Sequence, residues 1–238
     1  MFVSLISGSS GNASVISDGT TYILTDCGMS GKKLSEALAS LDLSCADLAC
    51  VLLTHEHVDH SRGIGVLARR YHLPVYATED TFSALSVGDI PDGLFHPVKP
   101  GEDFSVGEIG IKPFSILHDA ADPVGYTFTT KDSRYAIATD TGEMNEDIFS
   151  AISGCDCVLL ESNHDVDMLM YGSYPYPLKK RILGRFGHLS NADASKTAVQ
   201  LLEQGTKKIL LGHLSKENNT PEIAYETTKN ALTSVGAR

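Results

Sequence analysis

No stretch of this sequence approaches the ~20 consecutive apolar residues that span a bilayer. The apolar opening at residues 1–7 has no basic segment ahead of it, so neither a membrane anchor nor an export signal is expected. Basic charge is scarce too: 19 Lys and Arg stand against 30 Asp and Glu, a net charge of -11. That balance excludes a broadly basic nucleic-acid binder, which holds phosphates through an excess of cations. The five cysteines, Cys27, Cys45, Cys50, Cys155 and Cys157, are odd in number and lack the C-x-x-C spacing of a zinc knuckle. They read as reduced, buried thiols in a cytoplasmic protein. There is no low-complexity tract, no repeat at a solenoid period and no Pro/Gly-rich linker, so one domain over residues 1–238 is expected. The 42% of hydrophobic residues is enough to bury a substantial core.

Regular punctuation divides what remains. Residues 2–6, 13–16 and 21–24 read as strands, broken by S-G-S-S-G-N and by Asp18-Gly19. A helix is expected over 30–41, with Leu34, Leu38 and Leu41 on one stripe. A strand at 49–53, a helix at 64–71 and a short strand at 75–77 follow. Strands are expected at 109–117, 125–130 and 135–139, the last two joined by a turn at Asp132-Ser133. A helix at 146–152 and a strand at 157–161 lead into a basic helix, then a helix at 192–203, a strand at 208–211 and a helix from 221 to about 232. The pattern predicts an α/β fold, a four-layer αββα sandwich with ligands at strand ends.

One run stands out. T-H-E-H-V-D-H, from Thr54 to His60, packs three imidazoles and Asp59 directly after the apolar strand. Histidine is costly to bury unless its ring nitrogens are used, and neutral imidazole is the commonest zinc ligand. Solitary histidines such as His72 and His96 read as ordinary core or surface residues.

H-x-H-x-D-H at His55, His57, Asp59 and His60 resembles the signature of the metallo-β-lactamase superfamily. His118 after S-I-L, Asp140 in A-T-D-T-G and His213 in G-H-L-S follow at predicted strand ends in that family's order. The resemblance implies two divalent ions. His55, His57 and His118 would hold one, Asp59, His60 and His213 the other, and Asp140 would bridge them. Asp26 in L-T-D-C-G would organise the metal loop. The imidazole-rich set suits Zn or Mn rather than Ca or Mg. Two such ions share an activated hydroxide and polarise the attacking and leaving oxygens. Glu56 lies between two ligand positions and is expected to point away.

The second half narrows the branch. Glu161-Ser162-Asn163-His164 closes a strand and Gly187-His188-Leu189-Ser190-Asn191 opens a helix. This pairing resembles the tRNA 3′-processing nucleases and PhnP phosphodiesterases, in which a histidine just before a helix assists the leaving group. By that resemblance His188 is a general acid and Glu161 its partner, in a carboxylate-imidazole arrangement that favours the charged ring. Asp59 joins them as a catalytic residue. The chain departs from the tRNA nucleases in having His164 and in lacking an arm for gripping tRNA. Ser190 and Asn191 read equally as helix caps or as phosphate contacts. Ser9 and Asn12, in the S-G-S-S-G-N loop, read equally as substrate contacts or as a tight turn. His164 is open between lining the pocket, binding phosphate and closing the strand.

Taken together, S-G-S-S-G-N, L-T-D-C-G, T-H-E-H-V-D-H, E-S-N-H-D and G-H-L-S-N resemble the YycJ/WalJ/VicX group over essentially the full length. That resemblance implies a dinuclear-metal phosphodiesterase with 5′-to-3′ DNA exonuclease activity and an association with a two-component signalling operon. The partner is then a nucleic acid, DNA rather than RNA, held locally at a terminal phosphate. Lys179, Lys180, Arg181 and Arg185, with no acid between Asp167 and Asp193, are a candidate phosphate patch or simply a solvated helix face. The alternative activity is metal-dependent hydrolysis of a thioester, lactone, β-lactam or cyclic phosphodiester.

Overall fold

A computed structural model describes residues 1–236. The backbone divides into two compact units, the first comprising Met1–Ser115 and Ala120–Asp132, the second Ile116–Asp119 and the chain from Ser133 onward.

In the first unit, β1 (Phe2–Ile6), β2 (Ala13–Ser17) and β3 (Tyr22–Thr25) form an antiparallel meander. Helix α1 (Gly31–Ala39) follows, capped by Ser30, whose side chain accepts the Lys33 N–H. It stops short of the expected Leu41 because Asp42 turns left-handed at φ 58° and the Leu43 N–H reaches back to the Leu38 carbonyl. β4 (Leu48–Leu52) adds parallel to β3, and then α2 (Val58–Ser61), α3 (Ile64–Tyr71), β5 (Val75–Ala77), α4 (Glu79–Ala84) and β6 (Phe95–Pro97) complete a six-stranded sheet in sequence order. β7 (Phe104–Val106), β8 (Ile109–Ser115) and β9 (Val124–Thr129) form a second antiparallel ladder. The core of this unit joins Val15, Leu24 and Val51 from the strands to Leu34, Leu38, Ile64 and Leu67 from the helices. Each such side chain contributes roughly 1.5–3 kcal/mol on burial.

The second unit holds β10 (Arg134–Ala138), α5 (Glu146–Ile152), β11 (Cys157–Glu161), α6 (Val166–Tyr171), α7 (Tyr176–Ile182), α8 (Asn191–Glu203), β12 (Lys208–Gly212) and α9 (Pro221–Ser234). β10, β11 and β12 run parallel. Every residue of β11 is buried, the continuous pattern of a strand covered on both faces. Helix α8 packs on α9, and α5 on β10. Among the described residues no helix is long and apolar enough to cross a membrane.

The expected elements are present with shifted ends. The strand expected over 109–117 stops at Ser115, which frees Ile116–Asp119 to enter the second unit. The short β6 and β7, and helices α4 and α6, were not expected from the sequence.

Candidate metal centre

In the first unit β4 delivers Thr54 and the histidines at its carboxyl end, where ligands gather in parallel sheets. The Tyr126 hydroxyl holds the strand end by donating to the Leu53 carbonyl at 2.9 Å. Asp26, just past β3, is buried and left-handed at φ 59°, a conformation that costs a non-glycine residue free energy. That conformation aims its carboxylate at Thr54, whose backbone N–H donates to Oδ1 at 2.9 Å, and at His60 Nδ1, 2.8 Å from Oδ2. The Thr54 hydroxyl donates to Asp26 at 3.0 Å and accepts from His55 Nδ1 at 3.0 Å. Asp26 and Thr54 together therefore engage the Nδ1 side of both rings and turn Nε2 to the ligand side, where that of His60 meets Asn12 Nδ2. Burial raises the Asp26 carboxyl above its usual range, and His60 opposes that shift. His55 lies 4.6 Å from His57 and 4.2 Å from His60, ring centre to ring centre. Asp59 Oδ2 is 3.6 Å from His60 Nε2. Glu56 turns away, accepting the Ala121 N–H at 3.0 Å.

The S-G-S-S-G-N loop is fastened to this cluster. Asn12 donates its backbone N–H to the Asp59 carbonyl at 2.8 Å, and its side-chain Nδ2 lies 2.9 Å from His60 Nε2. Its Oδ1 accepts the Gly8 N–H at 3.0 Å, which sets the amide's orientation. Gly28 has to be glycine: a Cβ there would stand 1.6 Å from the Asp59 carbonyl oxygen. Ser9 is exposed at the loop's tip.

In the second unit the organiser is Glu161, fully buried at the end of β11. Its Oε1 accepts from His188 Nδ1 and from His213 Nδ1, both at 2.8 Å. Its Oε2 accepts the backbone N–H groups of Thr141 at 2.8 Å and Leu189 at 3.2 Å. Burial alone would raise this carboxyl, but the two imidazoles outweigh it and hold the group below the usual carboxylate range. His213 turns its other nitrogen toward Asp140, with Nε2 at 3.3 Å from Oδ1. Asp140 and His213 are both left-handed, at φ 60° and 53°. His118 sets Nδ1 3.3 Å from the Gly187 carbonyl, and its ring centre is 5.1 Å from that of His188. The donor atoms of Asp140, Glu161, His188 and His213 all lie within 4.8 Å of one another.

These donors fit a transition-metal centre. They are imidazole and carboxylate groups, largely buried, with Nδ1 of His55, His60 and His213 engaged so that Nε2 is the ligand. Of the non-glycine residues with positive φ among those described, Asp26, Asp140 and His213 stand at candidate positions, while Asp42 and His72 follow the ends of α1 and α3.

The remaining candidates are placed differently. Ser190 caps α8, accepting the Asp193 N–H at 3.1 Å and donating to Asp193 Oδ2 at 2.7 Å. Asn191 is buried, with its Oδ1 accepting from Ser162 Oγ at 2.7 Å and its Nδ2 donating to Asn219 at 2.9 Å. His164 is 1% exposed, and its ring nitrogens have no hydrogen-bond partner among the described residues. Two positioning contacts were not anticipated from the sequence. Asn163 Nδ2 donates to the His213 carbonyl at 2.9 Å, and Arg181 pairs with Asp119 beside His118. Asn163 stands inside E-S-N-H-D, but only the fold reveals its partner.

The profile of the β-lactamase superfamily domain matches residues 21–213. "Exodeoxyribonuclease WalJ" of Streptococcus pneumoniae strain D39 is 41% identical over 232 residues, covering 96% of this chain and 86% of that protein. "Exodeoxyribonuclease YycJ" of Bacillus anthracis is 38% identical over 237 residues, covering 99% and 90%. The crystal structure of the metallo-β-lactamase fold protein YhfI from Bacillus subtilis superposes with a TM-score of 0.73 at 17% identity, covering 97% of this chain and 92% of that one. The fold is thus the expected α/β sandwich of the metallo-β-lactamase type, built for divalent metal. Within that superfamily the chain belongs to the WalJ/YycJ group.

Proposed function

We propose that this protein is a metal-dependent nuclease that degrades DNA from an end, in the 5′-to-3′ direction, with both units acting as one metallo-β-lactamase domain. His55, His57 and His118 would hold one ion, Asp59, His60 and His213 a second, with Asp140 between them. Two Zn or Mn ions would supply Lewis-acid charge at the phosphate and an activated water for in-line attack. The chain's own residues do the rest. Asp26 and Thr54 hold His55 and His60 in the ligating tautomer. Glu161 does the same for His213 and orients His188, the half-buried ring whose Nε2 is left to deliver a proton to the departing oxygen. Asp59 serves as a ligand and as a catalytic carboxylate near the reacting phosphate. The observation that carries the reading is the Glu161 fork, one buried carboxylate holding His213 and His188 at equal distance. The exodeoxyribonuclease names of the two full-length relatives support the choice of DNA. All five cysteines are free and buried, which fits a cytoplasmic home.

The test offers end-labelled single-stranded and duplex DNA to protein loaded with Mn or Zn, beside bis-p-nitrophenyl phosphate, nitrocefin and S-lactoylglutathione. Products released from the 5′ end are expected. Hydrolysis of nitrocefin or the thioester with no cleavage of DNA would overturn the reading. Replacing His188 with alanine should leave metal content intact while lowering turnover on the order of 10²–10⁴-fold. Full activity in that variant removes His188 from the mechanism.

A further inference from the structure

Although the chain is acidic overall, its second unit carries a surface of the opposite character. From residue 168 to 192 there is no acid, while Lys179, Lys180, Arg181 and Arg185 all fall there. The same region concentrates exposed apolar side chains. Of twelve large ones exposed among the described residues, Val166, Met170, Tyr171, Tyr176, Leu183 and Phe186 lie between 166 and 186. Scattered apolar residues on a surface need no explanation, but half of them on one short segment do. Tyr171 is 88% exposed, Tyr176 68% and Phe186 53%. Such rings are open to anything that presents a flat face.

This segment is anchored to the site. Arg181 pairs with Asp119, the neighbour of His118, and Arg185 Nε meets Glu143 at 2.9 Å. The His188 N–H donates to the Ile182 carbonyl at 2.9 Å, so the end of α7 and the catalytic histidine share a hydrogen bond. The turn at 184–187 presses on Gly142, where a Cβ would stand 2.4 Å from the Gly184 carbonyl oxygen. Phe186 is two residues from His188.

We propose that the α6–α7 segment is the binding platform for single-stranded DNA, with bases stacking on Tyr171, Tyr176 and Phe186 and the backbone passing Lys180, Arg181 and Arg185 on its way to His188. The inference rests on the nuclease reading above. Charge complementarity selects a polyanion, and exposed aromatic faces select one whose bases are unstacked, which a duplex does not offer. The two arginine pairs are exposed and weak, so their guanidinium groups can exchange a carboxylate for a phosphate. Few phosphates are gripped, so stacking carries the affinity.

The experiment is fluorescence anisotropy of the full chain, in excess chelator to prevent cleavage, with labelled oligo(dT) and a duplex of equal length. Wild-type protein should bind the single strand more tightly. Tyr171→Ala and Tyr176→Ala should each weaken it by roughly 5- to 150-fold, whereas Tyr176→Phe should keep wild-type affinity. Lys180→Ala should flatten the plot of log affinity against log salt by about 0.7. Circular dichroism and the urea midpoint of the tyrosine variants should match wild type, since both side chains are exposed. Unaltered single-strand affinity in a folded Tyr171→Ala/Tyr176→Ala double variant would overturn the proposal. So would sedimentation showing that these substitutions abolish self-association and spare DNA binding, because the surface would then belong to a second copy. DNA cleaved alike by wild type and variants defeats this inference alone. A wild-type protein that never cleaves DNA defeats the nuclease reading beneath it.

Discussion

His164 should make the protein acid-labile in a way that one substitution removes. The ring follows β11, is 1% exposed and has no hydrogen-bond partner among the described residues. Burial pulls its pKa from 6.5 down to about 4, against the opposing pull of the Glu161 carboxylate. An unfolded chain takes up that proton near pH 6.5 and the folded one only near pH 4, so stability is flat above the first value and falls as pH drops between the two. The full loss is on the order of 3 kcal/mol below about pH 4, and about 2 kcal/mol of it has occurred by about pH 5. Urea unfolding of chelated protein, followed by circular dichroism at about pH 7 and about pH 5, reads this directly. Chelation removes the separate acid sensitivity of metal binding. His164→Met keeps an apolar filler in the site and deletes the titrating group, so its stability should fall by about 2 kcal/mol less than wild type over that interval. At neutral pH the variant should equal or exceed wild type, since an unpartnered buried polar group costs about 1–3 kcal/mol. Parallel pH profiles for the two proteins would refute the reasoning.

Glu161→Gln replaces a buried acceptor of four hydrogen bonds with an amide that must turn an N–H toward one donor. Metal affinity, read by titration of chelated protein, should fall about 10- to 100-fold, and stability without metal by roughly 3–5 kcal/mol. Leu34→Ala, on the buried stripe of α1, should cost about 2–5 kcal/mol in urea denaturation without altering metal content. Burial pushes the thiols of Cys27 and Cys50 up to about 12, so Ellman's reagent should leave both untouched until denaturant is added.

What the sequence disclosed followed the physics of periodicity and burial. A strand such as Cys157–Glu161, apolar at every position but the last, announces a covered parallel strand with a polar residue at its functional end. H-x-H-x-D-H after β4 is readable for the same reason. Short elements escaped: Phe95–Pro97 contains a proline and only three residues, too few for alternation to show. Contacts between distant residues escaped as well. Asn12 and His60 are 48 positions apart, and Glu161 and His213 are 52 apart, so no local pattern encodes either pair. Glu161 was legible as the partner of His188, but its equal hold on His213 was not. One of the boundaries between the compact units falls at Asp132-Ser133, an ordinary hairpin turn by its residues, with nothing linker-like to mark it.

A chain with net charge -11 that acts on DNA has to overcome its own field. Screening helps beyond about 8 Å at physiological ionic strength, so distant carboxylates matter less than those near the phosphate. Beside His188, the buried carboxylates of Asp140 and Glu161 would repel a phosphate unless metal ions neutralise them. The acid-free stretch from 168 to 192 then supplies cationic side chains, Lys179, Lys180, Arg181 and Arg185, close to His188 in sequence. On the proposed reading, binding of the strand would rest on the strip, and presenting its phosphate for cleavage would need metal at the centre as well. With so few cations contacting the backbone, affinity should depend only weakly on salt, unlike that of a protein tracking a long duplex. If the proposed platform operates, the site would capture a strand at its end, where one terminal phosphate and a few unstacked bases are offered together.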